Sequence, residues 1–204
     1  MVDATEKTAL RLAAICSGGG TTLQNLLDRQ AAGTLAGSVE LVIASKPEAF
    51  AAERARRAGI PCAVVPPQPA DAASLRMFGL CRERRIDFVL LAGYLHLLPI
   101  PQDFARRVLN IHPSLLPAFG GRGCYGRKVH EAALARGVKL SGCTVHFADQ
   151  EYDHGPILVQ RAVAVLADDT PETLAARVFA AECEAYPEAV RLLAAARDAF
   201  GRIS

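Results

Sequence analysis

Asn110 and His112 stand two positions apart in the otherwise apolar run VLNIHPSLLP, residues 108–117. In a β-strand, residues i and i+2 emerge on one face, so an amide and an imidazole would project side by side. Pro113 biases His112 towards extended backbone and argues against continuation into a helix. Burying two polar groups at a strand end is costly unless both are hydrogen-bonded. The pattern therefore points to a hydrogen-bond donor and an acid/base group held at a site. A satisfied core histidine is the plainer reading of His112 alone.

A second constellation is CSGGGTTLQ, residues 16–24, a glycine turn between a strand-like run and a helix-like one. Glycines let backbone approach a ligand closely, and free N–H groups at a helix start attract anions. The dinucleotide pattern G-x-G-x-x-G fails because Leu23 stands at its third glycine, and Ser45-Lys46 stand where an acid is needed. A Walker A loop fails for want of its Lys. A phosphomonoester held by backbone amides and by the Thr21 and Thr22 hydroxyls fits the residues, as does a tight turn with no ligand.

The third is HFADQEYDHGP, residues 146–156, an acidic loop closed by Asp-His-Gly-Pro. No HxH or HExxH spacing supports a metal, and none is expected. One carboxylate here could orient and charge His112 across a site, as a base is oriented by a third group; a solvated acidic turn is the alternative. No G-x-S-x-G elbow occurs. Cys124, beside Arg122 and Gly123, reads as a loop thiol rather than a nucleophile.

The elements that must carry these residues alternate. Strands are expected over 10–16, 38–44, 62–65, 88–91 and 108–112, with helices over 21–31, 48–58, 71–84 and 102–107. A Gly- and Pro-rich loop, 113–126, precedes a helix over 128–136 and strands over 141–147 and 157–166. Thr170-Pro171-Glu172 marks the start of a last helix, with a break expected at Pro187. Alternation of this kind, with runs apolar on both faces, describes one α/β Rossmann-like domain with a mostly parallel sheet covered by helices. At 204 residues one domain suffices.

The chain is 51% hydrophobic and 22% charged, with a net charge of +2. That balance leaves no basic footprint for nucleic acid or a membrane surface. The run 88–98 is too short to span a bilayer, and no secretory signal is evident at the N-terminus. Six scattered cysteines without CxxC spacing fit reduced thiols, so a cytoplasmic location is expected. The sequence carries no signal for an oligomeric state.

Taken together, SGGGTTLQNLLD, LAGYLHLLP, LNIHPSLLPAFGG, YGRKVHEA, SGCTVHFADQEYDHGPILVQ and DTPETLAARVFAAECEAYP resemble the folate-dependent phosphoribosylglycinamide formyltransferases of purine biosynthesis. The resemblance covers nearly the whole chain, about residues 12–193. It implies the formyltransferase fold, with 10-formyltetrahydrofolate as formyl donor and glycinamide ribonucleotide as acceptor. It further implies that Asn110, His112 and Asp153 are the catalytic trio. Gly20, Thr21 and Thr22 would hold the phosphate; Phe179, Ala180, Ala181 and Glu182 would face the ribose. Leu95, His96, Leu97 and Leu98, together with Asn110 and Asp149, Gln150, Glu151, Tyr152 and Asp153, would cradle the folate. The N-terminal half would thus supply the phosphate site, and the C-terminal half the folate loop and final helix. Many family members carry Ser-Asn at Thr21-Thr22 and Arg at His96. An Arg that some members carry ahead of the third helix has no counterpart near residues 71–74.

On this reading the formyl group passes directly to the substrate amine through a tetrahedral intermediate. A free α-amine has a pKa of about 8, so no covalent enzyme nucleophile is required. Asn110 and His112 would donate to the oxyanion, while Asp153 favours protonated His112. Two other functions fit some of the motifs. A formyltetrahydrofolate hydrolase would use the same trio with water as acceptor. A non-catalytic nucleotide-phosphate sensor would use only the glycine loop.

Overall fold

The computed structural model describes residues 9–200, excepting the side chains of 198–200. In chain order the elements are β1 (Leu10–Cys16), α1 (Thr21–Ala31), β2 (Gly37–Ala44), α2 (Phe50–Arg57), β3 (Cys62–Val64), α3 (Ala70–Glu83), β4 (Phe88–Leu91) and β5 (Val108–His112). They continue with α4 (Arg127–Arg136), β6 (Leu140–Phe147), β7 (Ile157–Ala164) and α5 (Pro171–Phe200). One sheet runs β3-β2-β1-β4-β5-β6-β7. β3 through β5 are mutually parallel, and β6 and β7 continue antiparallel.

Alternation in β1 sends Leu10, Leu12, Ala14 and Cys16 into one core and Ala13 and Ile15 into the other. Both faces of the central strands are thus dry, which explains why their sequences read as continuous apolar runs. From β1 the chain first winds to β2 and β3, then crosses back to β4 on the other side. The crevice beyond the carboxyl ends of β1 and β4 is therefore a topological switch point, where α/β sheets bind ligands. The glycine turn leaves β1 at this edge, and Ser17 N–H bonds the Gly93 carbonyl beyond β4 at 3.1 Å.

Two expectations need correction. The helix expected over 102–107 is a single 3₁₀ turn, Gln102–Phe104, and Arg106 at φ 58° turns the chain back before β5. The break expected at Pro187 is absent: α5 is one helix of 30 residues. Proline removes the N–H that would bond the carbonyl four residues earlier. That carbonyl, on Cys183, instead accepts Asn25 Nδ2 at 3.0 Å and Arg29 Nη2 at 3.2 Å, both from α1. Neighbouring α1 thus supplies the missing donors. One residue before the proline, the buried Tyr186 hydroxyl lies 3.1 Å from the Leu91 carbonyl and 3.0 Å from that of Leu109. It fastens α5 to β4 and β5, the second of which bears Asn110 and His112.

Candidate active site

Asn110 and His112 project from β5 towards a cleft of about 730 Å³. His146 on β6 pairs directly opposite Asn110, so the antiparallel ladder adds a second imidazole to the same face. Asp153 enters from the loop between β6 and β7, with its backbone at φ 54°. Only about 9% of its side chain is exposed. One carboxylate oxygen lies 3.2 Å from Asn110 Nδ2 and 3.4 Å from His112 Nδ1. The other accepts the Gly121 N–H at 2.9 Å. Burial alone would raise this carboxyl's pKa. The His112 ring, the His146 ring and the Gly121 N–H outweigh it and hold the group well below the usual carboxylate range.

Hydrogen-bond chemistry fixes the protons of this network. The Phe119 carbonyl can only accept, so the 2.9 Å contact places a hydrogen on His112 Nε2. With Nδ1 facing Asp153, both ring nitrogens meet acceptors, an arrangement that the imidazolium form satisfies fully. Asp153 also orients the Asn110 amide, because a flipped amide would set oxygen against carboxylate. Asn110 Nδ2 must then donate to His146 Nε2 at 3.1 Å, and His146 Nδ1–H to the Phe147 carbonyl at 3.0 Å.

The rest of the cleft is assembled from both halves of the chain. On α5, Ala175, Val178, Phe179 and Glu182 recur at helical spacing and line it. Ala180 and Ala181 fall off that stripe: Ala180 is exposed, and Ala181 packs on the core. Thr22 lines the cleft; Gly20 and Thr21 stand outside the lining, one shaping the turn and the other exposed. Gly20 sits at φ 67°, and a Cβ there would meet the Ala51 backbone at 3.0 Å, so the tight turn requires glycine.

Leu95, His96 and Leu97 line the cleft opposite Asp149, Glu151 and Tyr152. The Leu97 N–H donates to the Tyr152 hydroxyl at 3.0 Å, tying the two loops together. Leu95, Leu97 and Tyr152 are exposed apolar surface at this mouth, suited to covering a flat heterocycle. Leu98 is instead buried in the core, and Gln150 turns away to the Ile100 carbonyl at 2.9 Å. Asp149 is engaged by His154 at 2.8 Å and by the Glu151 N–H at 2.9 Å. Among the described residues no group of three His, Cys, Asp or Glu is arranged to hold a metal ion.

Glu182 is buried with no hydrogen-bond partner among the described residues, and burial pushes its carboxyl up to about 7, with His112 opposing. An acid whose folded pKa is raised binds its proton in the folded state where the unfolded chain has lost it. Folding stability should therefore fall as pH rises from about 4.5 to about 7 through this group. Glu182→Gln should remove that component, so the variant's advantage over wild type should grow across this window in urea titrations. A constant difference at every pH would contradict the assignment.

The formyl transferase family matches residues 10–190, nearly the whole sheet and its helices. The chain belongs to the formyl transferase family. A chloroplastic phosphoribosylglycinamide formyltransferase of Arabidopsis thaliana is 47% identical over 186 residues, 88% of this chain and 64% of that one. Its counterpart from Vigna unguiculata is 45% identical over 188 residues, 90% of this chain and 60% of that one. The chain thus spans less than two thirds of either plant relative. The crystal structure of glycinamide ribonucleotide transformylase 1 from Symbiobacterium toebii is 42% identical with a TM-score of 0.86, covering 93% of this chain and 90% of that one.

Three contributors to the cleft carry no sequence signal for a place in it. His146 becomes visible only once β6 is known to pair antiparallel with β5 in this register. The loop residues Arg122, Cys124 and Tyr125 line the cleft together with Arg127 at the start of α4, which is paired to Glu131 and Glu172. His130, on the buried face of α4, completes that side.

Proposed function

We propose that the protein transfers the formyl group of 10-formyltetrahydrofolate to the amine of 5'-phosphoribosylglycinamide, a step of purine biosynthesis. The observation that carries this reading is the convergence of Asn110, His112 and Asp153 at the end of β5, inside a cleft that also reaches Thr22 and Glu182. The folate supplies the activated formyl group. Leu95, Leu97 and Tyr152 would cover its ring, with backbone groups of the two tied loops as polar partners.

The residues divide the work. Asn110 can exchange its contact with neutral His146 for the oxygen that gains negative charge, while Asp153 keeps the amide turned the right way. One such donor is worth roughly 10²–10³ in rate. His112, held between Asp153 and the Phe119 carbonyl, can give a proton to the departing nitrogen and regain one from the amine that has attacked, a contribution of roughly 10²–10⁴. The glycyl amine, which like other free α-amines has a pKa of about 8, attacks in its neutral form. Thr22 and the amides of the glycine turn would take the phosphate, and Glu182 the ribose hydroxyls. The free cysteines fit a reducing compartment such as the cytoplasm.

The direct test is a transfer assay with 10-formyltetrahydrofolate and glycinamide ribonucleotide, with the formylated nucleotide identified by mass. Thr22→Asp should raise KM for the nucleotide by roughly tenfold or more through like-charge repulsion, and change kcat much less. An unchanged nucleotide KM would remove Thr22 from the phosphate site.

A further inference from the structure

Two buried polar side chains facing the cleft have no hydrogen-bond partner among the described residues: Glu182, already assigned to the ribose, and His130. Only 4% of His130 is exposed, and its Nδ1 is sealed from solvent without a partner. Nε2 has no partner among the described residues either, and it is the ring nitrogen left in contact with the cleft that the side chain lines. A buried N–H without an acceptor is rarer and costlier than an unused lone pair. The hydrogen therefore sits on Nε2, and Nδ1 is bare. Burial, and after it the neighbouring His112, lower the ring's tendency to take a second proton.

His130 thus presents a free N–H to the cleft. Those of the trio are engaged: the Asn110 amide by Asp153 and His146, the His112 Nε2–H by Phe119. Position selects the ligand. α5 packs against α4, which carries His130, and against α1, whose first turn carries Thr22, and its residues 175–182 line the cleft beside both. We propose that His130 is a substrate-binding residue whose Nε2–H donates to an oxygen of the nucleotide substrate beside the reacting amine. The acceptor chemistry matches the carbonyl oxygen of a glycinamide. This assignment rests on the function proposed above and adds a contact to its acceptor site.

Three variants test it by calorimetric titration of glycinamide ribonucleotide, with KM for the folate followed in parallel. In His130→Leu the donor is lost, and nucleotide Kd should rise about tenfold. The amide nitrogen of His130→Gln reaches the position of Nε2 and should restore binding to within about threefold. That of His130→Asn reaches only the position of Nδ1 and should bind as poorly as Leu. Folate KM should stay at its wild-type value throughout. The thermal midpoint of His130→Leu should not fall, because an orphaned nitrogen is replaced by an apolar group. Wild-type affinity in the Leu variant would overturn the assignment. Equal losses in Gln and Leu would do so too, making the ring a packing group. Failure of the wild-type enzyme to bind the nucleotide is a different result: it would overturn the function itself and this contact with it.

Discussion

Asp153→Asn lowers kcat by roughly 10³–10⁴ while the nucleotide KM stays within about threefold of wild type. The substitution keeps the shape of the side chain and exchanges one carboxylate oxygen for an amide. If that amide faces Asn110 and His112, donors oppose donors; if it faces Gly121, the 2.9 Å N–H bond is lost. In either orientation the negative charge beside His112 disappears. In the first orientation the Asn110 amide also loses the partner that sets its orientation, and with it the lock on His146. His112→Ala should be of similar size, and the double variant little worse than either single one, because groups acting as a unit are not additive. Steady-state rates with both substrates varied read all three. Turnover near wild type in Asp153→Asn would take the carboxylate out of the mechanism.

The second large effect is expected at a residue that touches no ligand. Gly155 lies two positions after Asp153, where the chain re-enters the sheet as β7. A Cβ at Gly155 would lie 1.9 Å from the Phe147 carbonyl oxygen, inside the backbone of β6. That same carbonyl receives the His146 Nδ1–H. Gly155→Ala must therefore move the loop or the strand, and both carry site residues. Stability should drop by about 1–3 kcal/mol, the usual size of an overpacking defect. Activity should fall by roughly 10² or more, since a displacement of about 1 Å at a reacting centre costs that much. Urea midpoints and kcat measured on the same preparation separate the two. A variant with lowered stability and full activity would show that the loop's position is not critical.

Much of this site was legible in the residues themselves. Asn110 and His112 point to a site at a strand end because alternation puts both on one face, and Pro113 argues against a helical alternative. The glycine turn and the strand-helix alternation announce a mostly parallel sheet with a loop for a ligand, and the strand order β3-β2-β1-β4 then places that loop at the switch point. What was not legible depended on register and on neighbours distant in sequence. His146 joins the network only because β6 pairs antiparallel with β5 and meets Asn110 directly. Pro187 leaves α5 intact because donors from α1, more than 150 residues earlier, cap the orphaned Cys183 carbonyl. Helical phase likewise sorts Phe179 and Glu182 from Ala180 and Ala181, although the four are contiguous. The family resemblance marks the stretch; the helix decides which of its side chains can touch a ligand.

The most direct measurement is the fate of the formyl group with and without the nucleotide. Purified protein is incubated with 10-formyltetrahydrofolate, and formate, deformylated folate and formylated nucleotide are quantified together. Folate consumption should depend on glycinamide ribonucleotide, with formylated nucleotide formed in equal amount and formate near the uncatalysed background. Rapid formate release without the nucleotide would instead identify water as the acceptor and contradict the transfer reaction.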